Sequence, residues 1–164
     1  MKNNLFKFFL SKLKTPSEIK IALPEKDDRV NQAVNILTDI GLKVVNPNSS
    51  SPSNKYMESL KRLKFSKNWP EENLTEYLNN PFIKSLVMLR NNQIDGVVCG
   101  CTTSSAEVIR NAIRIIGLKK STNWLSSMFL MVNAKANIFF SFSDCAVIPE
   151  PTSDQLADIA KKTS

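Results

Sequence analysis

Residues 97–117, VVCGCTTSSAEVIRNAIRIIG, constrain the fold of this chain more than any other stretch. The apolar run over 94–99 reads as a strand whose near-continuous hydrophobic character suits the middle of a parallel sheet. A turn of small residues follows. Ser104 and Glu107 then have capping-box spacing, Val108, Ile109, Ala112, Ile113 and Ile116 form the buried face of a helix, and Gly117 closes it. A helix that starts at the C-terminal edge of a parallel strand points free backbone N–H groups into the crevice where α/β proteins bind ligands, and it favours anions. Ser104 and Ser105 act there either as caps alone or as ligand donors. Arg110 and Arg114 lie one turn apart on the same helix.

The rest of the chain agrees with an α/β fold. A strand over 20–23, a helix over 27–40 with Val30, Ala33, Val34, Leu37 and Ile40 at helical spacing, Gly41 as its stop and a strand over 42–45 make a β-α-β unit. Its first turn, LPEKDD, is acidic and lacks glycine, so it is a poor phosphate cradle and a dinucleotide fingerprint is disfavoured. NPNSSSPSN is a loop by composition, and 55–67 reads as a helix. Pro70 and Asn80-Pro81 mark two further helix starts. Strands over 127–132 and 138–147 flank NAKAN and predict a hairpin; Thr152 and Gln155 then repeat the capping-box spacing before a last helix. Asp144 lies in an apolar strand, where a charge must be hydrogen-bonded, at an edge, or functional.

Composition narrows the chemistry. With 164 residues and 42% hydrophobic side chains the chain can bury one sizeable core. It has no histidine, which removes Ser-His-Asp and Cys-His catalysis and Cys/His zinc sites from these residues. No apolar run approaches the roughly 18 residues of a membrane helix. The N-terminal MKNNLFKFFLSKLK lacks a cleavage pattern and reads as a docking helix, with Leu5, Phe8, Phe9 and Leu13 on one face. Three cysteines are an odd set, and Cys99 and Cys101 cannot bridge favourably within one strand, so a reducing cytoplasm is expected. The net charge is +7, densest where Lys55, Lys61, Arg62, Lys64 and Lys67 face one acid, Glu58. That face is either a solvated helix surface or a polyanion site for nucleic acid or a phosphorylated small molecule.

Three strings, in order along the chain, carry a resemblance. KIALPEKDDRVNQAVNIL, IDGVVCGCTTSSAEVIRNAIRII with the SSMFLM that follows it, and DCAVIPEPTSDQLADIA resemble the phosphate acetyltransferase and phosphate butyryltransferase family. The resemblance implies a mostly parallel α/β sheet with helices on both faces, related to the isocitrate and isopropylmalate dehydrogenases. It implies a first α/β domain over 1–122 and the beginning of a second, opened by the hairpin, over 123–164, both incomplete.

The implied activity is transfer of an acyl group between coenzyme A and inorganic phosphate, with acyl-CoA as substrate, no tightly bound cofactor, no metal and no covalent intermediate. Arg110 falls on the family's helix arginine, associated with substrate or coenzyme A binding. Ser104 and Ser105 fall on its small-hydroxyl pair, and Thr103 stands where many members have histidine. The family's second binding arginine matches Lys64 best, where lysine keeps the charge but loses the bidentate fork; Arg62 is a nearby substitute. The family's segment bearing the serine, arginine and aspartate assigned to chemistry has no counterpart here, so no catalytic residue is assigned.

The resemblance therefore implies a truncated or split acyltransferase, inactive alone, with a homodimer or a complementary C-terminal half as partner. A noncatalytic module binding coenzyme A or acetyl-CoA is the alternative. Nucleic acid is disfavoured, because the anion-suited positions have this better explanation.

Overall fold

The computed structural model describes residues 11, 15–49, 53–120, 122–133 and 138–163. The expected N-terminal docking face of Leu5, Phe8, Phe9 and Leu13 and the NAKAN turn at 134–137 lie outside the described residues. Two compact units are present, one reaching Gly117 and one starting at Leu118.

The first unit is built on a parallel three-stranded sheet. Strand β1 (Lys20–Ala22) lies between β2 (Lys43–Val45) and β3 (Gly96–Val97). Ile21 pairs with Val44 on one side and Gly96 on the other. Helix α1 (Asp28–Asp39) makes the crossover from β1 to β2, as the β-α-β pattern predicts. The Asp27 side chain caps it by accepting from the Arg29 N–H, and Gly41, at φ 89°, supplies the left-handed residue that ends it.

Helices α2 (Asn54–Lys61), α3 (Glu71–Asn79) and α4 (Pro81–Arg90) return the chain to β3, and α5 (Ser105–Ile115) follows it. Asn80 starts α4 by accepting from the N–H groups of Phe82 and Ile83, and Pro81 occupies the first helical position, where its missing N–H costs nothing. The core is mostly helical: Leu60 of α2, Leu74 and Leu78 of α3, Ile83 and Val87 of α4 and Ile115 of α5 pack with Ala22 of β1. Helix α4 is buried along nearly its whole length, Phe82 through Met88.

Three details differ from the sequence reading. The helix expected over 55–67 stops at Lys61, because Ser66 turns back to donate its hydroxyl to the Leu60 carbonyl at 2.7 Å and Leu63 N–H bonds the same oxygen at 2.8 Å. Strand β3 is shorter than 94–99, and among the described residues it pairs with β1 alone, leaving Val98 60% exposed. On α5 the buried residues are Asn111 and Ile115, with Val108 packed against the core, while Ile113 and Ile116 face outward. Asn111 displaces the apolar pattern because it is satisfied inside: Tyr77 Oη donates to Asn111 Oδ1 at 2.7 Å, and Asn111 Nδ2 donates to the Glu107 carbonyl at 3.0 Å.

The second unit holds an antiparallel pair, β4 (Met128–Asn133) and β5 (Ile138–Ser143), and helix α6 (Ser153–Thr163). The capping box at Thr152 closes in both directions, with Gln155 N–H donating to Thr152 Oγ1 at 3.3 Å and Thr152 N–H to Gln155 Oε1 at 2.8 Å. Asp144 is a structural aspartate. Its carboxylate accepts from Ser127 N–H and Oγ, Val147 N–H and Ile148 N–H, tying the start of β4 to the chain after β5. Burial alone would raise its pKa, but these donors outweigh it and hold the group well below the usual carboxylate range. Both faces of the hairpin are apolar and exposed, with Phe129 and Phe142 on one and Met128 and Leu130 on the other.

Leu78→Ala removes a fully buried side chain from the α3–α4 contact and is expected to lower the unfolding free energy by about 2–5 kcal/mol. Ile36→Ala, at a residue 57% exposed, is expected to change it by no more than about 0.5 kcal/mol. Urea denaturation of the two variants beside the wild type measures both.

Candidate functional site

The connection leaving β1 leads to β2 on one side, and the chain then crosses back to β3 on the other. The crevice between the loops after β1 and β3 is therefore the topological switch point, where open parallel sheets hold ligands. One side chain bridges it. The Glu25 carboxylate, from LPEKDD, accepts from the backbone N–H groups of Gly100 at 2.9 Å, Cys101 at 2.7 Å, Thr102 at 2.9 Å and Thr103 at 2.7 Å, and from Thr102 Oγ1 at 3.1 Å. Gly100 has a φ of 109°, which lets successive N–H groups converge on one point. Burial would raise the Glu25 pKa. The N–H donors of Thr102, Cys101 and Thr103 bring it down from 4.5 to about 2.

Behind Glu25, Asp27 receives the Arg29 guanidinium in a fork, Nε at 2.8 Å and Nη2 at 3.0 Å. The Arg29 side chain, and then its backbone N–H, hold Asp27 well below the usual carboxylate range. Burial pushes the Cys101 thiol up, an effect that nearby Asp27 and Glu25 reinforce and Arg29 opposes. The Cys99 thiol is likewise raised, by burial first and by Glu25 second. These thiols are not poised as thiolates.

The turn delivers the chain to α5. Thr103 is half-buried, its N–H committed to Glu25. Ser104 is the N-cap and accepts from Glu107 N–H at 3.3 Å; Ser105 is the first helical residue, and both are exposed. Arg110 is exposed on the second turn of α5. On the helix it is the neighbour, one turn on, of Ala106 and Glu107. Arg114, one turn on, instead lies 5.9 Å from the centroid of Phe65, whose ring packs edge-on against Trp69 and Tyr77.

A cavity of about 580 Å³ opens beside the switch point, between the β1–α1 loop, α1 and the end of β2; Leu23, Lys26, Asn31, Val34, Asn46 and Asn48 are among its lining residues. Neither Arg62 nor Lys64 is among the residues that line it. Arg62 lines a second cavity, about 460 Å³, with Ser59, Arg90, Asn91 and Asn92. Arg90 Nη1 there donates to the Ile115 carbonyl at 2.7 Å, so this cavity sits where α5 ends and β3 begins, at the sheet edge opposite Ser104. Lys64 is exposed in the turns after α2. Thr103, Ser104, Ser105 and Arg110 thus share one strand–turn–helix, Arg62 lines a cavity at the other end of α5, and Lys64 precedes Phe65, whose ring lies beneath the Arg114 guanidinium of α5. Among the described residues no group of His, Cys, Asp and Glu is placed to hold a metal ion.

The family model for phosphate acetyl/butaryl transferase matches residues 11–164. The chain belongs to that family. Phosphate acetyltransferase of Haemophilus influenzae is 30% identical to it over 142 residues, which are 87% of this chain and 19% of that protein. The Helicobacter pylori phosphate acetyltransferase is 30% identical over 141 residues, 85% of this chain and 27% of the other. A phosphotransacetylase from Streptococcus pyogenes superposes on 98% of this chain and 56% of its own, with a TM-score of 0.76 at 24% identity. EutD phosphotransacetylase from Staphylococcus aureus does so with a TM-score of 0.72, covering 96% and 55%. The chain therefore spans about a fifth to a quarter of those two curated relatives and about half of the two solved ones, and it shares their α/β fold.

Within this family member, the sequence reading missed Glu25 as the residue that organises the candidate site. The signal was present: an acidic loop after the first strand faces a small-residue loop after the third. The sequence reads LPEKDD as a poor phosphate cradle and as part of a string that carries the resemblance, and neither reading gives Glu25 a bonding role.

Because folding lowers the Glu25 pKa from 4.5 to about 2, this carboxylate's contribution to stability is complete above pH 4.5 and is lost as the pH falls from there toward 2. Glu25→Gln is expected to be less stable than wild type at pH 7 and to lose less on acidification across that window. Thermal melts of both proteins between pH 7 and pH 2 check this.

Proposed function

We propose that these residues form the ligand-binding part of a phosphate acyltransferase, which exchanges an acyl group between coenzyme A and inorganic phosphate. The observation that carries the reading is the family match over residues 11–164, which includes the strand–turn–helix at the switch point. In the reaction the coenzyme A thiol attacks the acyl carbonyl of an acyl phosphate and phosphate leaves with the bonding pair; the reverse makes acyl phosphate. Both directions require a site that holds phosphoryl groups and tolerates the charge building on oxygen.

In this proposal Ser104, Ser105 and the first N–H groups of α5 donate to a phosphoryl oxygen of coenzyme A or acyl phosphate, and Arg110 supplies the positive charge. Thr103 positions the turn through its N–H. Lys64, exposed after α2, and Arg62, in the second cavity, add positive charge that draws anions to the first unit. This chain covers 56% of the Streptococcus pyogenes phosphotransacetylase, and the proposal gives these residues ligand binding rather than the transfer step. Acetyl is the acyl group that the relatives' names support. Three free cysteines fit a reducing compartment such as the cytoplasm.

The 164-residue chain is expected to bind coenzyme A, with Arg110→Ala weakening it by about tenfold while the melting temperature stays within a degree, because the side chain is exposed. Isothermal titration with coenzyme A tests the affinity, and acetyl phosphate formation from acetyl-CoA and phosphate tests turnover. Binding without turnover fits a binding part that needs further polypeptide, or a noncatalytic regulatory module. Unchanged affinity in the variant removes Arg110 from the site.

A further inference from the structure

We propose that Glu25 is a positioning residue for this site: it locks the turn over 100–103 so that Ser104, Ser105 and the first N–H groups of α5 face a phosphoryl ligand, and it keeps the turn itself from capturing anions. The inference rests on the proposed function. Four consecutive backbone N–H groups converging on one point make an anion-binding concavity. Here the concavity is filled from within, by a carboxylate 75 residues away in sequence.

Two consequences follow. The turn has its donors satisfied before any ligand arrives, so ligand binding does not have to order it. Its positive field is also neutralised at Glu25, so free phosphate gains little by entering it. A ligand must be recognised one step farther along, by the exposed Ser104, Ser105 and the start of α5. Asp27 and Arg29 pair with each other beside the turn, so the guanidinium does not compete for the Glu25 carboxylate.

Glu25→Ala vacates the concavity, and formate is small enough to replace the missing carboxylate. Coenzyme A affinity, measured by titration, is expected to fall tenfold or more in Glu25→Ala and to recover most of that loss in millimolar formate, while formate leaves the wild type unchanged. Amide hydrogen exchange over 100–103 is expected to accelerate in the variant and to slow again with formate. If Glu25→Ala is too unstable to study, Glu25→Gln keeps the shape and is expected to show the same loss in affinity without rescue.

Equal affinity in wild type and either variant overturns the proposal. So does a loss of affinity in Glu25→Ala that formate restores nowhere, because that is the signature of general destabilisation. If the wild type itself fails to bind coenzyme A, the proposed function is what fails. Hydrogen exchange then decides the role of Glu25 in the turn: formate-reversible acceleration over 100–103 supports it, and unchanged exchange overturns it.

Discussion

One carboxylate joins the two loops on which the candidate site depends. Glu25 leaves the end of β1 and satisfies four backbone donors in the loop after β3, which would otherwise be pulled toward water or toward a foreign anion. Everything downstream inherits that geometry: where Gly100 turns, where Ser104 caps, and which way α5 starts. The bond pattern also explains why an acidic loop is tolerated at the C-terminal edge of a parallel sheet, where negative ligands ordinarily bind. The acid stands in the place such a ligand would take.

Much of this was legible in the residues. The β-α-β opening, the Asn80-Pro81 helix start, the Ser104 cap, the hairpin pairing and the Thr152–Gln155 box rest on short-range rules, and each is formed as its local sequence dictates. What was not legible depends on partners distant in sequence. The rotation of α5 follows from Asn111, whose side chain is acceptable inside only because Tyr77 from another helix meets it. The early end of α2 is the local exception, since Ser66 folds back on the Leu60 carbonyl six residues earlier and overrides the helical spacing of the lysines, whereas Asn111 depends on a partner far along the chain. Glu25 belongs to the same class: the residues it binds lie 75 to 78 positions away, and no local pattern links them.

The basic residues illustrate the same limit. The resemblance places Lys64 on a binding arginine with Arg62 as a nearby substitute, and sheet geometry puts Arg62 at the edge opposite Ser104, beside the Arg90 side chain that caps the α5 carbonyls. A positive charge at a helix C-terminus is favourable for its own reason, since it meets the negative end of the helix dipole. Net charge therefore reports how the whole surface draws anions in, and the backbone decides where they stop.

The ribbon formed by Met128–Asn133 and Ile138–Ser143 sets a practical boundary on how these residues can exist in solution. Aromatic and aliphatic groups stand out from both of its sides, and a two-stranded ribbon has too few neighbours to be sturdy by itself. Strands with exposed flanks of this kind adhere to one another once crowded. The ribbon is where clouding of a purified sample is expected to begin, and the surface that makes it cloud is also where a molecular chaperone would take hold.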